Sequence, residues 1–122
     1  MTQNNAALAK IFYTNLGEKN MGAMEKYLHP DVQLITPLSK QQGKEAYLEA
    51  VKNFMPFFNA LTIRATFGER DQAVVVYDLA CSAPIGKVPG AALLTLSEGL
   101  ITRNELFHDT SPFYRIKDEL LA

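Results

Sequence analysis

The stretch QAVVVYDLACS, residues 72–82, decides the fold, because it is the most β-prone run of the chain. Side chains alternate along a strand, so one face carries Val75, Tyr77, Leu79 and Cys81. The opposite face carries Val74, Val76, Asp78 and Ala80. Both faces are largely apolar, although helices can cover only one of them. We therefore expect a second copy of the chain on the outer face, with cover by the C-terminal tail as the alternative.

Further strands lie on both sides of this stretch. LTIRATF (61–67) comes before it across the turn GERD, and AALLTL (91–96) follows the connection APIGKVPG. The tight turn SEG then leads to LITRNELFHD (100–109). Consecutive strands of this kind predict an antiparallel meander.

The N-terminal half is mostly helical. Apolar residues spaced by three and four predict a helix over 5–16, and a second short helix follows from Met21. VQLITP (32–37) predicts a short strand closed by its proline, and LSKQQG predicts a loop. Helical spacing returns over 44–55, with a stripe that runs past Pro56 to Phe58.

The predicted order is therefore α-α-β-α-β-β-β-β, in one domain over residues 1–122. Helices first and strands later indicate the α+β class, with the helices packed on one face of a sheet. At the C-terminal end, Phe113, Ile116 and Leu120 have helical spacing, which predicts a short helix or a docked tail.

Composition excludes several classes of function. Of the 122 residues, 48% are hydrophobic and 20% charged, and the net charge of −1 comes without a basic stripe. We therefore expect neither nucleic acid nor a membrane as partner. Cys81 stands alone, so there is no internal disulfide and no metal-ligand spacing. The N-terminal stretch lacks signal-peptide features and no apolar run reaches membrane-spanning length, so a cytoplasmic location is expected.

Four stretches carry a resemblance to a known family: YLHPDVQLITP (27–37), GKEAYLEAVKNF (43–54), VVVYDL (74–79) and SEGLITRNELFHD (97–109). In this order and spacing the chain resembles the nuclear transport factor 2-like superfamily, in the branch of SnoaL-like polyketide cyclases and ketosteroid isomerase relatives. The resemblance implies a cone: a curved, mostly antiparallel sheet wrapped around three helices. Such a cone commonly holds a pocket and often dimerises through its convex face. No metal or organic cofactor is implied.

The isomerase chemistry of this branch does not carry over. The resemblance puts its general base at Thr36, just before Pro37, and threonine is no base near neutral pH. Its oxyanion hole combines a helix tyrosine with a protonated aspartic acid. The tyrosine position falls on Phe12, one residue from Tyr13, and the acid falls near Ala91 or Ala92.

The epoxide hydrolase branch needs an Asp-Arg-Asp set in the pocket. Asp78 lies one residue off the inner face of its strand, so we expect it to point outward. Arg64 lies on a different strand. This chemistry is not expected either.

The cyclases offer a better carry-over, because they use an acidic residue near the end of the last strand. Asp109 lies in that neighbourhood, next to His108. By alternation Asn104 and His108 share a face, which the resemblance turns toward the pocket, and Asp109 lies at the mouth unless a bulge turns it inward. We take His108 and Asp109 as candidate catalytic acid and base.

Nine further residues are candidate ligand contacts: Phe12, Tyr13, Thr36, Phe54, Phe58, Tyr77, Cys81, Ala92 and Asn104. The alternative for each is ordinary core packing, with Asn104 and His108 satisfied by each other, by Thr36 or by backbone.

Three functions stay open from sequence. The first is a cofactor-independent enzyme of the isomerase or cyclase type, acting on a small apolar or cyclic molecule. The second is a non-catalytic domain that binds such a molecule. The third is a dimeric protein-interaction domain.

Overall fold

Residues 4–116 are described by the computed structural model. Three α-helices come from the first half of the chain: α1 (Asn5–Gly17), α2 (Met21–Glu25) and α3 (Lys44–Phe54). Six strands are distributed along it: β1 (Leu28–Ile35), β2 (Lys40–Gln42), β3 (Phe58–Glu69), β4 (Gln72–Cys81), β5 (Lys87–Ser97) and β6 (Leu100–His108). Short 3₁₀ helices cover Met55–Phe57 and Ser111–Ile116. None of the helices within this range is long and apolar enough to cross a membrane.

The six strands form one curved, open sheet in the order β2-β1-β6-β5-β4-β3. From β3 to β6 each strand pairs antiparallel with the next, and β1 joins β6 in parallel. This topology confirms the predicted meander and the α+β class. Register shifts between Ile63 and Ala65 and between Thr95 and Leu96 interrupt the ladders, and such bulges bend a sheet.

The first two helices begin with asparagine caps. The Asn4 side chain accepts a hydrogen bond from the Ala7 amide at 3.0 Å, which starts α1. The Asn20 side chain accepts one from the Ala23 amide at 3.1 Å and starts α2 in the same way. These hydrogen bonds satisfy backbone amides of the first turn and so define where α1 and α2 begin.

The helices cover one face of the sheet. α1 packs on β3 and β4, and α3 packs on β1 and β2. The inner face of β4 is buried as predicted: Val75, Tyr77, Leu79 and Cys81. Its outer face is only half covered, as Val74 and Val76 show. The prediction that the helices cover the face of β4 with Val75, Tyr77, Leu79 and Cys81 is therefore confirmed, whereas what covers the outer face stays a prediction.

Two segments predicted as loops are strands. Residues 40–42 form β2, a three-residue polar edge strand paired with β1, in which Gln33 donates a side-chain hydrogen bond to Gln42 at 3.0 Å. A strand this short and polar has no apolar alternation to detect. β5 begins at Lys87, inside the predicted connection, and carries Pro89 near its start.

Other boundaries moved as well. β1 begins at Leu28, four residues before the predicted strand, and ends before Thr36. Phe58 starts β3 and does not extend the stripe of α3, because Pro56 ends the helix. The C-terminal segment is a 3₁₀ helix with Phe113 and Ile116 buried, while Leu120 lies outside the described residues.

Candidate functional site

A cavity of about 160 Å³ lies between the helices and the inner face of the sheet. Apolar side chains of α3, β1 and β6 contribute to its wall, among them Leu34, Val51 and Leu106. An apolar cavity of ~150 Å³ takes one benzene-sized molecule. A cavity of this size therefore suits one ring with a few substituents.

Three polar side chains meet in the wall of this cavity, and we call Tyr13, Tyr47 and Asn104 the polar cluster. They come from α1, α3 and β6. Asn104 Nδ2 donates hydrogen bonds to Tyr13 Oη at 2.8 Å and to Tyr47 Oη at 2.9 Å. All three residues are buried and line the cavity.

The surroundings of Asn104 explain why the tyrosines are its partners. On the neighbouring strands Asn104 is paired with Leu34 of β1 and Leu94 of β5, which offer no polar side chain. Asn104 Oδ1 is buried and accepts no hydrogen bond within residues 4–116. A buried carbonyl without a donor costs about 1–3 kcal/mol. With the amide turned by half a rotation, this oxygen would instead lie where both tyrosine hydroxyls can donate to it.

The tyrosines of the cavity are neutral hydroxyl donors at neutral pH. Burial raises the pKa of Tyr13 well above its ordinary value. Burial also raises the pKa of Tyr47, although the hydrogen bond from Asn104 opposes the rise. Tyr77, whose ring stacks on Tyr13 at 5.6 Å between centroids, has its pKa raised to about 12 by burial.

His108 lines the same cavity from the end of β6. Its ring packs against Phe113 of the C-terminal 3₁₀ helix, at 4.9 Å between centroids. Nδ1 lies 2.9 Å from the backbone carbonyl oxygen of Asp109, which can only accept, so Nδ1 carries the hydrogen. In the neutral ring, Nε2 then carries a free lone pair and can accept a hydrogen bond or a proton.

Asp109 does not line the cavity. Its side chain is exposed, and Oδ1 accepts a hydrogen bond from the Ser111 amide at 3.0 Å. The backbone and side-chain hydrogen bonds of Ser111 hold the pKa of Asp109 below its ordinary value. The predicted acid/base pair is thus divided: His108 faces the cavity, whereas Asp109 caps the 3₁₀ helix that follows.

Five of the nine candidate ligand contacts line the cavity: Tyr13, Thr36, Phe54, Tyr77 and Asn104. Their contact with a ligand stays a prediction. The other four candidates are not among the lining residues: Phe12, Phe58, Cys81 and Ala92.

Each of these four has a physical reason for its place. Phe12 packs edge-on against Tyr13 at 5.5 Å, and so lies behind the tyrosine that reaches the cavity. Phe58 stacks on Phe54 at 5.6 Å in the same way. Ala92 is short and fully buried between its larger strand neighbours, and Cys81 is buried at the far end of β4.

Tyr47 was missed as a site residue by sequence reasoning. Helical spacing placed it on the apolar stripe of α3, and it is buried there, but spacing does not say which group its hydroxyl meets. The available signal was Asn104 on an inner strand face, because a buried amide requires polar partners.

The side chains at the positions of the alternative family chemistries are engaged in other interactions. Asp78 faces outward, with Arg64 at 3.8 Å and Lys87 at 3.9 Å. The Thr36 hydroxyl is engaged in a turn, where it accepts hydrogen bonds from the Leu38 and Ser39 amides. Among the described residues no carboxylate lines the cavity, and no group of three or more His, Cys, Asp or Glu is placed to hold a metal ion.

Comparisons with known proteins agree with this fold. The family model described as a SnoaL-like domain matches residues 9–104. None of the curated proteins matches the sequence.

Solved structures are similar over most of the chain. A nuclear transport factor 2-like protein of unknown function from Cytophaga hutchinsonii has a TM-score of 0.79 at 19% identity, covering 93% of this chain and 97% of that one. A candidate ketosteroid isomerase from Kribbella flavida has a TM-score of 0.77 at 20% identity, covering 85% and 76%. A candidate polyketide cyclase from Sinorhizobium meliloti has a TM-score of 0.75 at 16% identity, covering 83% and 94%. The fold is thus that of the nuclear transport factor 2-like proteins, and the chain belongs to the SnoaL-like domain family.

Proposed function

We propose that this protein binds a small, cyclic, mostly apolar molecule in the inner cavity and holds one oxygen atom of that molecule at the polar cluster. The observation that carries the proposal is the buried Asn104 amide, which ties two tyrosine hydroxyls together in an otherwise apolar wall. A few placed polar groups in an apolar concavity are typical of small-molecule sites.

A count of hydrogens indicates the kind of oxygen. The cluster holds four polar hydrogens, two on Asn104 Nδ2 and one on each tyrosine hydroxyl, and two of them are used in the internal bonds. Two hydrogens remain for a ligand. The count is the same if the amide is turned by half a rotation, because the hydroxyls then donate to Oδ1 and the amide hydrogens remain. The best partner is therefore an acceptor without a hydrogen of its own, such as a carbonyl oxygen.

The test is binding of acetophenone, a single ring with one carbonyl, measured by titration calorimetry. We expect Tyr47→Phe to weaken binding by about three- to tenfold, since one hydrogen bond contributes about 0.5–1.5 kcal/mol net. Tyr27→Phe is the matched control, because Tyr27 is half-buried and does not line the cavity. Equal affinity in all three proteins would refute the proposal.

A second candidate, cofactor-independent proton transfer of the isomerase or cyclase type, is favoured by the position of His108. Histidine is the residue most often used as general acid or base, and Nε2 of His108 carries the free lone pair. In this candidate His108 removes a proton from the ligand, and the polar cluster stabilises the negative charge that develops on the oxygen.

This second candidate predicts exchange of the methyl protons of acetophenone with deuterium oxide, followed by nuclear magnetic resonance. His108→Gln should abolish the exchange and leave binding in place. Exchange that persists in His108→Gln would exclude His108 as the base. If the wild type shows no exchange, proton transfer is refuted and the binding function is the candidate that remains.

We also propose that a second copy of the chain packs on the outer face of the sheet. Six apolar side chains lie there on neighbouring strands, and we call them the outer patch: Phe67, Val74, Val76, Ala91, Leu93 and Phe107. Phe67 is 63% and Phe107 51% exposed, which is unusual for side chains of this size.

The edges of the outer patch support a copy of the same chain as the occupant. Asp78 with Arg64 lies on one side and Arg103 with Glu105 on another, so both signs of charge surround the apolar centre. A two-fold contact brings a surface against itself, which a rim of mixed charge permits. Sedimentation at rising concentration tests it, and a monomer throughout would refute it. The cytoplasmic location stays a prediction.

A further inference from the structure

Tyr77, Gly90 and His108 lie in one row across the inner face of the sheet. Tyr77 of β4 is paired with Gly90 of β5, and Gly90 is paired with His108 of β6. Side chains directly opposite each other in antiparallel strands point to the same face. The glycine therefore separates two cavity-lining residues without adding a side chain of its own.

A glycine is required at position 90 because a side chain there would contact Tyr77, not because of its backbone conformation. Its φ lies outside the left-handed region, so any residue could adopt the conformation. A Cβ atom at this position, however, would lie 3.0 Å from Tyr77 Cε1 and 3.1 Å from both Cζ and Oη. The outer end of the Tyr77 phenol, hydroxyl included, thus lies directly over Gly90 of β5.

This arrangement brings one donor and one acceptor to the same end of the cavity. Within residues 4–116 the Tyr77 hydroxyl has no hydrogen-bond partner, and burial keeps the phenol protonated with its pKa raised to about 12. The His108 ring uses Nδ1 for the Asp109 carbonyl, which leaves Nε2 as an acceptor. A hydroxyl group, which both donates and accepts, matches this pair.

Within this pair, His108 lies away from the amide of the polar cluster. His108 is four residues beyond Asn104 on the same strand face, which is ~13 Å along a strand, and Leu106 lies between them. The Tyr77 ring reaches from this row toward the polar cluster, because it stacks on the Tyr13 ring at 5.6 Å between centroids. The cavity therefore presents polar groups at Asn104 and at His108, with Leu106 between them on β6.

We propose that Tyr77 and His108 form a second polar site, opened by Gly90, and that the ligand is a cyclic molecule with a carbonyl at one end and a hydroxyl at the other. This inference rests on the proposed binding function and specifies its ligand class. Gly90 acts as a positioning residue, since it sets the place of the Tyr77 hydroxyl.

Two probes of nearly equal shape test the second site: 4′-hydroxyacetophenone and 4′-methylacetophenone, titrated at a pH where the hydroxyl is neutral. The wild type should bind the hydroxyl compound about three- to tenfold more tightly, the effect of one hydrogen bond. Tyr77→Phe, which removes only the hydroxyl, should abolish this preference and leave the affinity for the methyl compound unchanged. Gly90→Ala should do the same by displacing the ring.

Tyr47→Phe is the matched control and should weaken both probes equally, because Tyr47 belongs to the polar cluster that holds the carbonyl of both probes. A preference that survives in Tyr77→Phe overturns the inference, whether or not Gly90→Ala folds. Equal binding of both probes by the wild type also overturns it, while the proposed binding function stands. If neither probe binds, the proposed function fails and this inference with it.

Discussion

Replacement of Asn104 by leucine separates a binding role of the polar cluster from a purely structural one. The asparagine is fully buried, so a change there acts on the interior of the fold. Leucine branches at Cγ as asparagine does, and the adjacent cavity leaves room for its extra volume. The substitution removes the amide and leaves both tyrosines in place.

The expected change in the free energy of unfolding is the sum of two opposing contributions. Asn104 loses its bonds to Tyr13 and Tyr47, which costs about 2 kcal/mol at about 1 kcal/mol each. The carbonyl oxygen that accepts no hydrogen bond within residues 4–116 disappears as well, which recovers about 1–3 kcal/mol of desolvation. The free energy of unfolding should therefore change by less than about 1 kcal/mol, since the terms nearly cancel.

Binding should respond differently. The amide orients both hydroxyls, so its loss should weaken acetophenone binding about tenfold or more, which is the effect of about 1.4 kcal/mol. Urea unfolding measures the stability and titration calorimetry the affinity, with Asn59→Leu as a control at an exposed asparagine. A variant destabilised by more than about 2 kcal/mol that still binds at the wild-type affinity would refute the reasoning, because the cluster would then be structural.

Other changes have equally definite outcomes. Phe107→Glu places a charge in the outer patch and should convert a dimer into a monomer in sedimentation; an unchanged dimer would place the contact elsewhere. The pKa of Asp109 is lowered by its hydrogen bonds with Ser111. The ionised carboxylate therefore stabilises the fold above about pH 4, and this stabilisation is lost as the pH falls through the lowered pKa. Asp109→Asn should therefore differ from the wild type in urea midpoint only above that range, and a difference that persists in strong acid would contradict it. The pKa of Tyr47 is raised by burial, so its contribution is complete below about pH 10 and is lost as the pH rises beyond it. Tyr47→Phe should make the alkaline loss of stability shallower, and an unchanged slope would count against the burial of its hydroxyl.

The fold was predictable because its strongest signals are long and periodic. The alternation of residues 72–82 defined both faces of β4, and asparagine and proline marked helix boundaries near α1 and α3. β2 was not predictable, since three polar residues paired to an edge carry no pattern. β5 was predicted too short because its first residues contain a proline and a glycine, which usually indicate a turn.

The site was predictable only in part. Alternation on β6 placed Asn104 and His108 on one face, and both line the cavity. The partners of Asn104 were not predictable, since α1 and α3 meet β6 only in three dimensions. Phe12 and Phe58 show the same limit, because periodicity separates buried from exposed but does not separate a cavity wall from the layer behind it.

The polar cluster also has a consequence for folding. Its two hydrogen bonds join residues 91 and 57 positions apart, so the site exists only after the last strand of the sheet has been added. A chain still lacking β6 during synthesis has the tyrosines but not the amide that joins them. A bound molecule then favours the complete fold over every partly assembled state, by about 2.7 kcal/mol at a hundred times its dissociation constant. Survival of newly made chains against proteolysis should accordingly rise with the concentration of the ligand.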